Sequence, residues 1–346
     1  MKLLRWKYSL FLIVGAWWLP MDHVWAGSLL RTECTASMTP SLVNIGDKIT
    51  LANINNATIT TRLDYTCTNG GFRDGYVSVC LAVGDGDYIP IITNPRYMRN
   101  KSDTNSSLAF AMTIDNKPWG ARNDGSEYNT GPLIMPRRPG LAGTESTIRG
   151  SVFIDVSLLA NNALATPGTY TNNFNSNHTA LTYKADEDLN SSNCATESQN
   201  SIRFPFTVQA TVIPSCSVTS TTDVNLGSHS ANRNNIMGNN SSAIGVTCTN
   251  GAPYNIGLMP SNNSIDGAGV MSGTGSNTDK IPYQLHSTDG ASGNIWGNTA
   301  TSNNVGNGVV GTGDGTSQLK TVYVTVPSAD FKPDNYSDIV SINVNY

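Results

Sequence analysis

Apolar and polar residues alternate with a period of two along several stretches of the chain. In Ile202-Arg203-Phe204-Pro205-Phe206-Thr207-Val208-Gln209-Ala210 every second residue is apolar, and Thr321-Val322-Tyr323-Val324-Thr325-Val326 repeats the pattern. The last residues do the same: Val340, Ile342, Val344 and Tyr346 share one face, with Ser341, Asn343 and Asn345 on the other. Period two is the signature of a half-buried strand, so the first set is expected on the core side. Turn clusters such as Gly84-Asp85-Gly86-Asp87 and Asp289-Gly290 separate the runs. Many short strands divided in this way predict an all-β chain built from β-sandwiches.

The same motifs occur twice. Thr66-Cys67-Thr68-Asn69-Gly70 returns as Thr247-Cys248-Thr249-Asn250-Gly251, Trp119-Gly120 as Trp296-Gly297, and Pro167-Gly168-Thr169-Tyr170 as Pro333-Asp334-Asn335-Tyr336. Cys34 precedes Cys67 by 33 residues and Cys216 precedes Cys248 by 32. Matches kept in register predict a duplicated domain. The expected division is residues 27–211 and 212–346, joined by Val212-Ile213-Pro214-Ser215, too poor in Gly and Ser for a flexible linker.

The N-terminus reads differently. Basic residues Lys2, Arg5 and Lys7, an apolar run over 9–19, and a small residue, Ala26, form the order of a secretory signal peptide, assigned to residues 1–26. Six cysteines behind such a segment predict disulfides formed in an oxidising compartment. Six cysteines allow fifteen pairings. The repeat selects Cys34–Cys67 and Cys216–Cys248, each closing a loop that contributes about 3–4 kcal/mol in the chain-entropy model. Cys80 and Cys194 have no counterparts in the second repeat and are paired with each other.

Charged residues are only 13% of the chain and the formal net charge is −4. No basic patch points to nucleic acid. His178, His229 and His286 are scattered and no cysteines form C-x-x-C, so neither a metal nor a cofactor is expected, and no catalytic residue is assigned. Asp186-Glu187-Asp188 reads as a solvated loop.

With these motifs in place, Cys216, Thr247-Cys248-Thr249-Asn250-Gly251, Ile295-Trp296-Gly297 and Pro333-Asp334-Asn335-Tyr336-Ser337-Asp338 with its terminal strand resemble the spore coat protein U domain. That domain is similar to the subunits of archaic, Csu-type chaperone–usher pili. The first half resembles it more distantly, through Cys67, Asn94-Pro95-Arg96-Tyr97-Met98, Trp119-Gly120 and Gly168-Thr169-Tyr170. The resemblance implies two immunoglobulin-like β-sandwiches, an adhesin domain followed by a pilin domain that lacks its last strand. It further implies secretion to the periplasm and a place at the pilus tip on the cell surface. Its implied partners are a periplasmic chaperone, an outer-membrane usher and a donor strand from the next subunit. Val340, Ile342, Val344 and Tyr346 would border the groove that takes that strand. Only Gly27–Glu33 would precede Cys34 after cleavage, too short a segment to donate a strand, which also fits the end of a fibre.

Three loops of the first half are unusually apolar: Tyr88-Ile89-Pro90-Ile91-Ile92, Pro132-Leu133-Ile134-Met135-Pro136, and the segment holding Leu158, Leu159 and Leu164. Family tip adhesins present apolar fingers, so these residues are the expected contacts with an abiotic or host surface, serving attachment and biofilm formation. Two other readings compete. A lectin site would draw on Trp119, Tyr88 and Tyr128, although the twin of Trp119 at Trp296 speaks for a core role. A non-adhesive pilus or coat subunit would need no such loops.

Overall fold

The structure, a computed structural model, describes residues 30–88, 94–140, 145–196 and 202–346. The signal segment 1–26 lies outside them, as do Ile89, Pro90, Ile91 and Ile92. The chain is all-β, as the alternation predicts.

The strands of the first half are β1 (Thr32–Thr39), β2 (Leu42–Ile49), β3 (Thr58–Asn69), β4 (Gly75–Val83), β5 (Arg96–Asn100), β6 (Ser107–Ile114), β7 (Lys117–Pro118), β8 (Tyr128–Asn129), β9 (Leu133–Met135), β10 (Ser146–Leu158), β11 (Gly168–Phe174), β12 (Thr179–Asp186) and β13 (Phe206–Val212). One sheet has the order β1-β3-β10-β6-β5-β11-β13-β2, with β7 on β6; the facing sheet is β12-β4-β8, with β9 also on β4. The second half holds β14 (Cys216–Thr221), β15 (Asn234–Cys248), β16 (Pro253–Pro260), β17 (Ala268–Ser272), β18 (Lys280–His286), β19 (Val309–Thr312), β20 (Ser317–Ser328) and β21 (Val340–Asn345). They form a β14-β15-β20-β18-β17 sheet and a β19-β16-β21 sheet.

Each pair of sheets encloses its own apolar core, one drawn from residues between Cys34 and Val212 and one from residues between Ile236 and Val326. The repeated motifs do the same work in both. Cys34 lies directly across from Cys67 on β1 and β3, and Cys216 across from Cys248 on β14 and β15, so each pair closes a disulfide between neighbouring strands. The third disulfide joins Cys80 to Cys194. Trp119 is buried and donates its indole N–H to Leu81 O of β4 at 2.9 Å; Trp296 is buried and donates to Ile256 O of β16 at 2.9 Å. A buried indole needs one acceptor, and the strand carbonyl facing it supplies that acceptor in each core. Trp119 is therefore unavailable to a sugar.

The connection between the two halves is stitched on both sides. Ile213 N–H donates to Ile49 O, Leu51 N–H to Ser215 Oγ, and Ser215 N–H to Thr249 Oγ1.

Candidate functional site

Among the described residues, the second and third apolar loops stand at opposite ends of the first sandwich. β3 and β10 pair along their whole length, Thr58 with Ser157 and Asn69 with Ser146. The twelve residues of β3 are separated by eleven steps of about 3.4 Å, so the strand is roughly 37 Å long. At its Thr58 end stands the junction with the second half. There Asn162 holds the segment after β10 in place: its side-chain N–H groups reach Ile54 O, Ala109 O and Leu159 O, and its Oδ1 accepts from Ala109 N. Leu158 is buried in the core, Leu159 is half-buried, and Leu164 is 66% exposed but passes its carbonyl to Asn250 Nδ2 of the second half at 2.6 Å. The third loop is thus a structural part of the junction. This corrects the expectation that Leu158 is surface-binding; Leu159 is half-buried, and the Leu164 side chain stays exposed.

The second loop sits at the opposite, Asn69 end. Asn69 donates to Arg73 O and Pro136 O at 3.0 Å each, and Arg138 N–H donates to Gly71 O. Leu133, Ile134 and Met135 form β9, with Ile134 across from Tyr76 and Met135 across from Gly75 on β4. Strand geometry sends neighbours to opposite faces. Met135 accordingly enters the core and is fully buried, a second correction, while Ile134 is 72% exposed. Pro132 and Pro136 are exposed and Leu133 is half-buried.

Two residues that the sequence reading missed join this end. Phe72 is half-exposed under the Arg138 guanidinium, 4.6 Å from its ring centre. Leu189 is also half-exposed, and an ion pair between Arg73 and Glu187 at 3.7 Å brings its segment beside that of Phe72. Neither belongs to an apolar run, but Phe72 follows the repeated Cys-Thr-Asn-Gly motif, which marks a strand end.

Tyr88, the described residue of the first loop, lies on the flank between the two ends. Asp87 N–H bonds to Asn173 O of β11, and the Tyr88 ring stacks on Tyr97 at 5.3 Å with Arg99 over it at 5.2 Å. Tyr128 packs against the core.

In the second half the terminal strand differs from its expectation in degree. Val340, Ile342 and Val344 pack against the core yet are only half-buried, and Tyr346 is exposed. Asn343 and Asn345 do not simply face water: they donate to Asn298 Oδ1 and Ala300 O. β21 pairs with β16 on one side. β14 lies near its other side, but its hydrogen bonds go to β15. The first half shows what stands at this place in a completed sandwich. β12 pairs with β4 as β21 pairs with β16. Beside β12, Ile202 exchanges both backbone hydrogen bonds with Leu181, and the chain continues into β13, antiparallel to β11 and parallel to β2. Phe204, Phe206, Val208, Ala210 and Val212 of that segment are all buried. Among the described residues no strand pairs with the outer edge of β21.

Fold and open edge together define a class: a disulfide-stapled tandem of immunoglobulin-like sandwiches whose second member exposes a half-covered strand edge. Residues 202–343 match the family model of the Spore Coat Protein U domain. The match begins at Ile202, within the segment that completes the first sandwich. No curated protein matches the chain. Among solved structures, it is similar at 12% identity and a TM-score of 0.45 to the CsuC–CsuE chaperone–tip adhesion subunit complex of Acinetobacter baumannii Csu pili, covering 91% of this chain and 100% of that one. The CupB6 tip adhesin of Pseudomonas aeruginosa gives 10% identity and a TM-score of 0.32, over 92% and 95% of the two chains. CfaE, the adhesive subunit of CFA/I fimbria of enterotoxigenic Escherichia coli, gives 9% and 0.32, over 88% and 92%.

Proposed function

We propose that this chain is the adhesive subunit at the tip of a chaperone–usher pilus. The observation that carries the reading is the contrast between the two sandwiches. The first supplies its own closing strand, Ile202–Val212; the second leaves β21 unpaired on one edge with Val340, Ile342 and Val344 half-covered. An open strand edge over apolar core invites aggregation unless another strand covers it. A periplasmic chaperone covers it first, and at the outer-membrane usher a strand from the next subunit takes its place. Backbone hydrogen bonds give that joint its strength and alternating apolar side chains set its register. The chain reaches the periplasm by secretion and then the cell surface at the end of the fibre.

Adhesion falls to the end remote from the junction. Phe72, Ile134 and Leu189, with Pro132 and Pro136, make an apolar rim there that adheres to abiotic or host surfaces and supports biofilm formation. Each 100 Å² of apolar area buried contributes about 2.5 kcal/mol before ordering costs, and many pili acting together multiply weak contacts.

The test is attachment to polystyrene by cells carrying Leu133→Ser with Ile134→Ser, and separately Phe72→Ser, with fibres inspected by electron microscopy. Met135 is left intact, because its burial would turn a binding test into a folding one. Normal fibres with lost attachment support the reading. Normal fibres with full attachment overturn the apolar tip and move a sugar pocket or a purely structural role to the front.

A further inference from the structure

A hollow of about 190 Å³ lies on the first sandwich where β5 meets β11. It is smaller than the usual pocket for a whole ligand, so it has room for one compact group. Arg99, Lys101, Thr104, Thr171 and Tyr88 line it. We propose that this hollow binds a phosphate group.

Strand geometry brings the cations together. Arg99 and Lys101 are exposed while their neighbours Met98 and Asn100 are buried, so the two cationic side chains leave the sheet on one face. Thr171 stands directly across from Arg99 on β11. Lys101 N–H donates to Thr169 O at 2.9 Å, which keeps the two segments in register past the end of β5. The Arg99 guanidinium lies over the Tyr88 ring, 5.2 Å from its centre, and Tyr88 in turn stacks on Tyr97. Stacking fixes the plane of the guanidinium and leaves its N–H edge to donate.

The acceptors around the hollow are already spent. Among the described residues neither Arg99 nor Lys101 has a carboxylate within ion-pair distance. Asp87, the acid of the lining, gives both oxygens to Asn173, accepting from its backbone N–H at 2.9 Å and from Nδ2 at 2.6 Å. Asp103, in the loop after β5, accepts from Thr166 Oγ1 and Asn105 N. The buried Asn100 side chain is likewise committed, to Thr166, Pro167 and Ser102. A guanidinium, an ammonium and two threonine hydroxyls are left, and two positive charges against one engaged carboxylate keep the hollow electropositive. A guanidinium fork with an ammonium beside it is a donor set suited to phosphate. Donors arriving from β5, β11 and the loop before β6 match tetrahedral oxygens better than the two of a carboxylate.

The inference does not rest on the adhesin reading, because binding is measured on the purified full chain. Calorimetric titration with inorganic phosphate is run beside acetate, and cosedimentation uses phosphatidylcholine vesicles with and without phosphatidic acid. Arg99→Gln and Lys101→Met are each expected to weaken phosphate binding about tenfold, and Arg99→Lys to recover only part of it, since an ammonium lacks the fork. Lys117→Met, which removes an exposed cation on β7, is expected to change nothing. Thermal melting checks that each variant is folded. Binding of inorganic phosphate alone assigns the free anion; binding of phosphatidic acid vesicles assigns a phosphate ester on a lipid headgroup. The proposal is overturned if neither binds, if acetate binds as tightly, if folded Arg99→Gln and Lys101→Met bind as the wild type does, or if Lys117→Met weakens binding as much as they do. Arg99→Gln cells should still attach to polystyrene, so failure of this site and failure of the apolar rim are read separately.

Discussion

Asn250 of the second sandwich donates its side-chain N–H to the carbonyl of Leu164 in the first, at 2.6 Å. The contact turns an apolar loop of the first sandwich into part of a junction. Leu164→Ser should therefore leave attachment to plastic at the wild-type level. Asn250→Ala should cost about 1 kcal/mol in the contact between the halves and speed proteolysis within Val212–Ser215. Unchanged cleavage kinetics would show that the linker's own hydrogen bonds suffice.

Arg96 is buried and spends its guanidinium on backbone: Nε donates to Gly84 O at 2.7 Å, and Nη2 to Val83 O at 3.2 Å and Trp119 O at 2.9 Å. Burial lowers its pKa to about 10, partly offset by Asp124 and Asp85. It stays charged at neutral pH. Arg96→Met strands three carbonyls and should destabilise the first sandwich by about 3 kcal/mol. Arg96→Lys should recover little, since an ammonium lacks the planar fork. Urea unfolding followed by Trp119 fluorescence reads both.

Glu127 is nearly buried, with Arg122 Nε at 3.7 Å and one carboxylate oxygen lacking a hydrogen-bond partner. Burial pushes its pKa up and Arg122 opposes the shift. The folded chain then holds a proton at pH values where the unfolded chain has lost it, so this group's contribution to stability falls as pH rises from its ordinary value through its folded one. Glu127→Gln should flatten that slope and raise the melting temperature at pH 7 relative to its effect at pH 4. A larger gain at pH 4 would contradict the assignment.

Removing Cys80–Cys194 by the double change to alanine should cost about 2–5 kcal/mol. Differential scanning calorimetry measures the loss, and an unchanged melting temperature would show that the bond adds nothing to the folded state.

The strands with unbroken alternation, Thr321–Val326 and Val340–Tyr346, were legible because period two survives in any half-buried sheet. The disulfides were legible because the repeat halves the problem. The candidate site was legible only in part. A leucine buried in the core and an isoleucine that faces water carry the same local signal, so Leu158 and Ile134 could not be told apart. Met135 lies in a strand of three residues, too short to show a period. Phe72 and Leu189 stand alone among polar neighbours, and only the pairing of distant segments, such as Arg73 with Glu187, reveals what they border.

The place of β13 has a mechanical meaning. A fibre pulled by flow would draw on the first sandwich through Val212, along the axis of a strand hydrogen-bonded to β11 on one side and β2 on the other. Those bonds stand across the direction of pull, so they share the load in shear and do not open one at a time. Beyond the linker, Cys216–Cys248 passes the tension directly from β14 to β15. The 31 residues between those cysteines (248 − 216 − 1) are spared it.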